Sequence, residues 1–300
     1  MPNTQKIVES DYPGLYQASD SASKKAQSNY VFIIAINLIL MIIAAGISIY
    51  DYKSVGSKFA IYVIVGITLL GALILTIITL TKKYEDVWYQ GRALAESVKT
   101  LTWRYIMCSE LFEITLNEGD VQQKFLSRLM DLSKEFSKLN SVMDAKLLNL
   151  SPISSLMGEI RNLPISDRKS YYVENRIEDQ RNWYAKKAKF NKRKYNLWFG
   201  IIIFSQSFSL VFIAYLLVCP DSKWNMVGLF TTFASAALSW LQLKQHQELR
   251  QAYTTATFEL TYIAELAKQV QNNDDLSKFV LDSENAISRE HTLWLAQRRK

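Results

Sequence analysis

The hydrophobic residues of this chain gather into long runs instead of recurring in short periods. Tyr30–Tyr50 is 21 residues without a charge, Phe59–Thr81 is 23, Tyr195–Pro220 is 26 and Trp224–Leu243 is 20. About 20 apolar residues carry an α-helix across the hydrocarbon core of a bilayer. Four such runs in two close pairs predict an all-α integral membrane protein: four transmembrane helices in two hairpins, at about 30–50, 59–81, 196–218 and 224–243, plus long cytoplasmic helical extensions. Each hairpin closes through a short turn, "DYKSVGSK" or "PDSKW". The first run follows 29 other residues and exceeds the apolar core of a cleaved leader, so all four spans are expected to be kept.

Polar segments between the runs read as helices. Residues 82–117 contain no Pro and one Gly, which predicts that the second span continues into them unbroken. Over 121–148, Phe125, Leu129, Leu132, Phe136, Leu139 and Met143 recur in steps of four and three, the seam of a coiled coil about three heptads long. "LNLSPISSLMGEIRNLP" (148–164) holds two of the five prolines and reads as a connector. Residues 167–194 are expected to lead as a helix into the third span, and 244–270 to leave the fourth as one, ending at "NNDD" (272–275). A last amphipathic helix reaches about residue 297, with Phe279, Ile287 and Trp294 as its buried positions. The two halves repeat: at an offset of about 163, Glu85, Ala93 and Glu96 fall on Glu248, Ala256 and Glu259. This gives a first hairpin domain (1–150), a connector (151–166) and a second hairpin domain (167–300), related in parallel.

Charge sets the orientation. Of 35 Lys and Arg, only Lys53, Lys58 and Lys223 lie in the two turns. Lys82, Lys83, Lys192, Arg193, Lys194 and Lys244 flank the spans on the opposite side, which the positive-inside rule makes cytoplasmic, with both termini there. The expected location is the bacterial inner membrane. "KKAKFNKRK" (186–194) carries six basic residues in nine, directly before Tyr195 and Trp198. It reads as an anchor for anionic headgroups, not as a nucleic-acid site, so the lipid bilayer is the expected partner and nucleic acid is not.

Candidate chemistry is sparse. No phosphate loop, dinucleotide fingerprint, nucleophile elbow or zinc motif occurs, and His246 and His291 have no ligand-spaced partner. Cys108 and Cys219 form no framework. No cofactor is expected and the chain does not read as an enzyme. The spans hold no Asp, Glu, Lys, Arg or His, which argues against an ion-coupled transporter. They do hold uncharged polar residues. Gln206 and Ser209 lie in the third span, and Thr231, Ser235, Ser239 and Gln242 recur on one face of the fourth. These are candidate pore-lining positions. Helix packing through small residues, such as the row Gly228, Thr232 and Ala236, is the alternative use of the same face. In "KKYEDVWYQGRALAESVKTLTWRYI" (82–106), Trp88, Arg92, Glu96, Trp103 and Arg104 are candidates for coupling cytoplasmic assembly to the span.

"WYAKKAKFNKRKYNLWFGIII", the hairpin after it and "ASAALSWLQLKQHQELRQAYTTATFELTYI" resemble the SLATT family, the SMODS- and SLOG-associating two-span effector domains of prokaryotes. The first half, with "GRALAESVKTLTWRY" after its second span, resembles another SLATT subtype, so the resemblance is to two such domains in tandem. It implies a conflict-system effector that a nucleotide-generating or nucleotide-sensing partner activates. Activation would assemble a homo-oligomer that breaches the inner membrane and kills or arrests an infected cell. A non-conducting membrane scaffold that docks a cytoplasmic partner is the alternative.

Overall fold

The computed structural model describes residues 5–49 and 55–298, with side chains described as far as Ser288. Most of the first turn, together with the side chains of His291 and Trp294, lies outside the described residues. Among those residues there is no β-strand. The helices are α1 (Gly14–Ile47), α2 (Val55–Lys82), α3 (Tyr84–Ile106), α4 (Glu118–Glu135), α5 (Ala145–Leu148), α6 (Ser155–Arg161), α7 (Ile165–Tyr172), α8 (Asp179–Val218), α9 (Val227–Lys244), α10 (His246–Leu266) and α11 (Asn273–Arg298). Among the described residues three stretches are long and apolar enough to cross a bilayer: Gly14–Ile47, Gly56–Ile106 and Ile165–Val218. The fourth expected span is α9, whose 18 residues include Thr231, Ser235, Ser239 and Gln242 and reach about 27 Å.

The chain divides into two compact units. The first gathers residues 1–27, 85–187 and 252–300 around an apolar core. Leu94, Val98, Leu101 and Tyr105 recur in steps of four and three, so α3 turns one stripe inward. Val121, Phe125 and Leu129 do the same for α4, whose N-cap Asn117 accepts the Asp120 N–H at 2.9 Å. Tyr105, Phe112 and Phe125 close an aromatic cluster with ring centroids 4.5–5.9 Å apart. Gly91 lets α1 and α3 cross closely, since a Cβ there would lie 3.0 Å from the Ser19 carbonyl and 3.1 Å from the Ser23 Cβ. The Ser23 hydroxyl donates to the Trp88 carbonyl at 2.8 Å across the same crossing.

The structure corrects three helix boundaries. Residues 82–117 are not one continuation of the second span: Lys83 adopts φ 46°, and the helix that restarts at Tyr84 ends at Ile106. Gln245, φ 47°, breaks the other second helix in the same way between α9 and α10. Left-handed breaks usually fall on glycine, so neither has a sequence signal. The coiled-coil seam is also interrupted. Helix α4 stops at Glu135 and Ser137–Ser141 is a 3-10 turn, so Leu139 and Met143 enter the chain's own core from short turns. Finally, 167–194 is not a plain helix, because Val173–Glu178 is a π turn between α7 and α8.

The second unit, residues 28–84 and 188–251, holds the apolar helices. The Asn37 amide donates to Thr76 Oγ1 at 3.0 Å, joining α1 to α2. Trp198 meets Trp240 at 6.0 Å and Phe208 meets Phe230 at 4.5 Å, joining α8 to α9. The hairpins touch where Leu229 lies near Gly46 and the Asn225 N–H donates to the Ile49 carbonyl at 3.0 Å. Small buried residues (Ala44, Ala72, Ala234, Ala237) sit inward, while Phe59, Leu80, Leu217 and Val218 are all more than 70% exposed. Apolar outside and small inside is the pattern of helices solvated by lipid tails.

Candidate functional site

In the first unit the apolar stripes of two helices are interrupted by one charge each. Glu284 lies in the α11 row of Leu276, Val280 and Ile287, and Arg176 lies on the π turn beside Tyr172 and Ile177. Their helices bring them together with 2% and 0% of the Arg and Glu side chains exposed. Arg176 donates from Nε at 2.8 Å and from Nη2 at 2.7 Å to the two carboxylate oxygens. Glu284 accepts two further bonds at 3.0 Å, from the Tyr172 hydroxyl and from Thr100 Oγ1. The guanidinium lies 5.8 Å from the centre of the Trp103 ring, and Trp103 Nε1 donates to the Tyr12 hydroxyl at 2.9 Å. One buried ion pair therefore ties the N-terminal segment, α3, the π turn and α11 together. Four hydrogen bonds reach the two buried carboxylate oxygens, which meets the cost of taking them out of water. Burial first, and then the Glu284 carboxylate beside it, push the Tyr172 phenol well above its usual range.

The coupling candidates of α3 belong to this unit. Trp88 is buried against Tyr89, with ring centroids 4.8 Å apart. Trp103 is 1% exposed and belongs to the buried centre. Arg92 and Glu96 pair along the helix at 3.8 Å, and Arg104 pairs with Glu110 at 3.4 Å. Trp88 and Trp103 are thus buried, while the charged members sit in partly exposed pairs of the kind worth at most about 1 kcal/mol.

In the second unit Thr231, Ser235, Ser239 and Gln242 are all exposed along α9. Thr231 Oγ1 donates to the Val227 carbonyl at 2.9 Å and Ser239 Oγ to the Ser235 carbonyl at 2.9 Å. Gln206 is exposed on α8, whereas Ser209 is buried on the inward row with Ile202 and Ser205, its Oγ lacking a hydrogen-bond partner among the described residues. Of the flanking basic residues, Lys82, Lys83, Lys192 and Arg193 are exposed. Lys194 lies 5.7 Å from the Phe190 ring and Lys244 5.0 Å from the Trp240 ring. Beside them His246 is buried, its Nδ1 2.7 Å from Asn191 Oδ1. No cluster of three metal-ligating side chains occurs among the described residues.

Comparison with known families finds two matches along the chain: SMODS and SLOG-associating 2TM effector domain 3 over residues 13–169, and SMODS and SLOG-associating 2TM effector domain 1 over residues 172–294. The first alone covers more than half the chain. This chain belongs to the SLATT family. It carries two SLATT domains in tandem, and SLATT domains are two-transmembrane effector domains associated with conflict systems. No curated protein and no solved structure matches.

The two SLATT domains do not fold as two separate bodies. Each contributes its hairpin to the second unit and its polar helices to the first. The buried centre needs both, since Trp103 and Thr100 come from the SLATT_3 segment and Arg176 and Glu284 from the SLATT_1 segment. Sequence reading missed Arg176, Glu284, Tyr12 and Tyr172. The available signal was a charge standing on an otherwise apolar helical row, as Glu284 does between Val280 and Ile287.

Proposed function

We propose that this tandem SLATT protein is a membrane effector of the bacterial inner membrane. Its four spans place both termini in the cytoplasm, and a nucleotide-linked signal leads it to oligomerise and open a water path that kills or arrests the infected cell. The observation that carries the reading is the exposed polar stripe Thr231, Ser235, Ser239 and Gln242 on an apolar helix. Thr231 and Ser239 satisfy their hydroxyls on their own backbone, so those positions cost a lone chain little in lipid. Gln242 has an amide that a lipid tail cannot hydrogen-bond, so the stripe is best solvated by water or by a neighbouring copy. Flanking basic residues hold the hairpins at the anionic leaflet. The competing reading, a non-conducting scaffold that docks a cytoplasmic partner, draws on the large polar-helix unit and leaves the stripe to lateral packing.

The test is expression of the full chain in a bacterium while a potential-sensitive dye reports the membrane. The wild type should depolarise the cells and arrest growth. Ser235→Leu/Ser239→Leu, present in the membrane at equal level, should do neither. Depolarisation by both proteins, or by neither, would remove the stripe as the water path.

A further inference from the structure

Beside the buried ion pair lies a cavity of about 280 Å³ in the first unit. It is bounded by the N-terminal segment at Lys6 and Tyr12, by α3 at Lys99 and Trp103, and by the π turn and the start of α8 at Arg176 and Asp179. Its charges are unevenly matched. Lys6 is paired with Asp179 at 2.7 Å, and Glu9 with Lys24 at 3.2 Å. Arg176 spends Nε and Nη2 on Glu284, and its Nη1 is buried with no hydrogen-bond partner among the described residues. Lys99 is half-buried, and among the described residues no carboxylate lies within ion-pair distance of it. Its Nζ lies 6.0 Å from the centre of the Tyr12 ring.

Two cations with unused donors therefore share one small cavity, and leaving such groups unpaired is costly. Burial pushes the Lys99 ammonium below its usual range, and the Arg176 charge adds to this. Glu96 and Glu284 oppose the shift, and Arg92 reinforces it. A fold gains nothing from this arrangement by itself. It gains when an anion enters, because an acceptor with several oxygens can take hydrogen bonds from an ammonium and a guanidinium N–H together. The neighbouring carboxylates Asp179 and Glu9 already have their lysines, so they need not repel it. The π turn is the local device that places Arg176 here, and such turns recur where a helix has been adapted to a site.

We propose that this cavity binds a small phosphate-bearing ligand, held by Lys99 and Arg176 at the junction of the N-terminal segment, α3 and the π turn. The assignment stands on the cavity and its donors and does not depend on the pore reading; only a role for the ligand as trigger rests on that reading.

The test uses the full chain in neutral detergent, titrated with glycerol phosphate and inorganic phosphate and followed by calorimetry and thermal melting, with chloride at matched ionic strength as control. Saturable binding is expected for the wild type. Lys99→Met should weaken it about tenfold or more, the usual cost of losing a charge-assisted bond, and Lys99→Arg should restore part of it. Lys99→Met should also melt no lower than wild type without ligand, which separates lost binding from lost folding. Lys124→Met, an exposed lysine of α4 outside the cavity, should still bind. A parallel arm compares nanodiscs containing phosphatidate with nanodiscs of phosphatidylcholine. Competition by phosphatidate would assign the site to a lipid headgroup, and its absence to a soluble phosphate. Equal responses of wild type and Lys99→Met, or a response no larger than chloride gives, would overturn the proposal. Depolarisation by the wild type is read separately, so failure of one idea does not imply failure of the other.

Discussion

Glu284→Gln preserves the shape of the buried centre and removes its negative charge. The side chain it replaces is fully buried and takes two bonds from Arg176, one from Tyr172 and one from Thr100. A glutamine can still accept from the Tyr172 hydroxyl. It cannot accept both guanidinium bonds, and Arg176 becomes an uncompensated cation with 2% of its side chain exposed. Breaking one partner of such a pair costs about 3–5 kcal/mol. Arg176→Met should cost a similar amount, because it strands the carboxylate. The double variant Arg176→Met/Glu284→Gln removes both charges and keeps polar partners for Tyr172 and Thr100, so most of the loss should return. Thermal or denaturant unfolding of the detergent-solubilised chain, read for all four proteins, closes the cycle. Because the double variant should lose less than either single, the coupling is expected to exceed a single loss, about 3 kcal/mol or more, at or above the top of the range for residues in direct contact. Single losses below about 1 kcal/mol, or a double variant as unstable as the worse single, would refute the claim that this pair ties the first unit together.

The remaining expectations concern backbone and protonation. Gln245→Gly should raise the melting point, relieving a left-handed conformation that costs an L-residue about 1 kcal/mol; Gln245→Ala, which keeps the strain, should not. Gly91→Val should destabilise by about 1–3 kcal/mol, since the new side chain meets Ser19 and Ser23 where α1 and α3 cross, and limited proteolysis should find the first unit loosened. Burial, with Lys244 and Lys194 beside it, holds the His246 imidazole below its ordinary pKa of 6.5, against a smaller opposite pull from Glu248. The folded form is then neutral while the unfolded form gains a proton near pH 6.5, so stability is lost as pH falls below about 6.5. Melting of the wild type at pH 8 and 5.5 should show that loss, and His246→Gln, which keeps a bond to Asn191, should show less of it.

What could be read from the chain followed from composition acting over long stretches. Runs of about 20 apolar residues form apolar helices whatever they pack against, so the all-helical class and its long apolar helices were legible. The breaks at Lys83 and Gln245 were not, because each needs a single residue with positive φ and neither is glycine. The seam through Phe125, Leu129 and Leu139 marked buried positions correctly but not a continuous helix. Periodicity reports which side chains go inside; it does not say that the backbone between them stays regular. Arg176 and Glu284 stayed hidden for a related reason. Glu284 stood out as a charge on an apolar row, but only its pairing with Arg176, 108 positions away, makes the two a centre.

The most direct test of the water path is cysteine accessibility along α9 in cells arrested by the protein. With Cys219 changed to Ser and the buried Cys108 left in place, single cysteines at Thr231, Ser235, Ser239 and Phe233 are exposed to a membrane-impermeant thiol reagent. Phe233 is exposed on the same helix but lies on the face opposite the stripe. The expected result is labelling at 231, 235 and 239 and none at 233. Labelling at 233 alone, or no labelling along the stripe while the cells remain arrested, would contradict it.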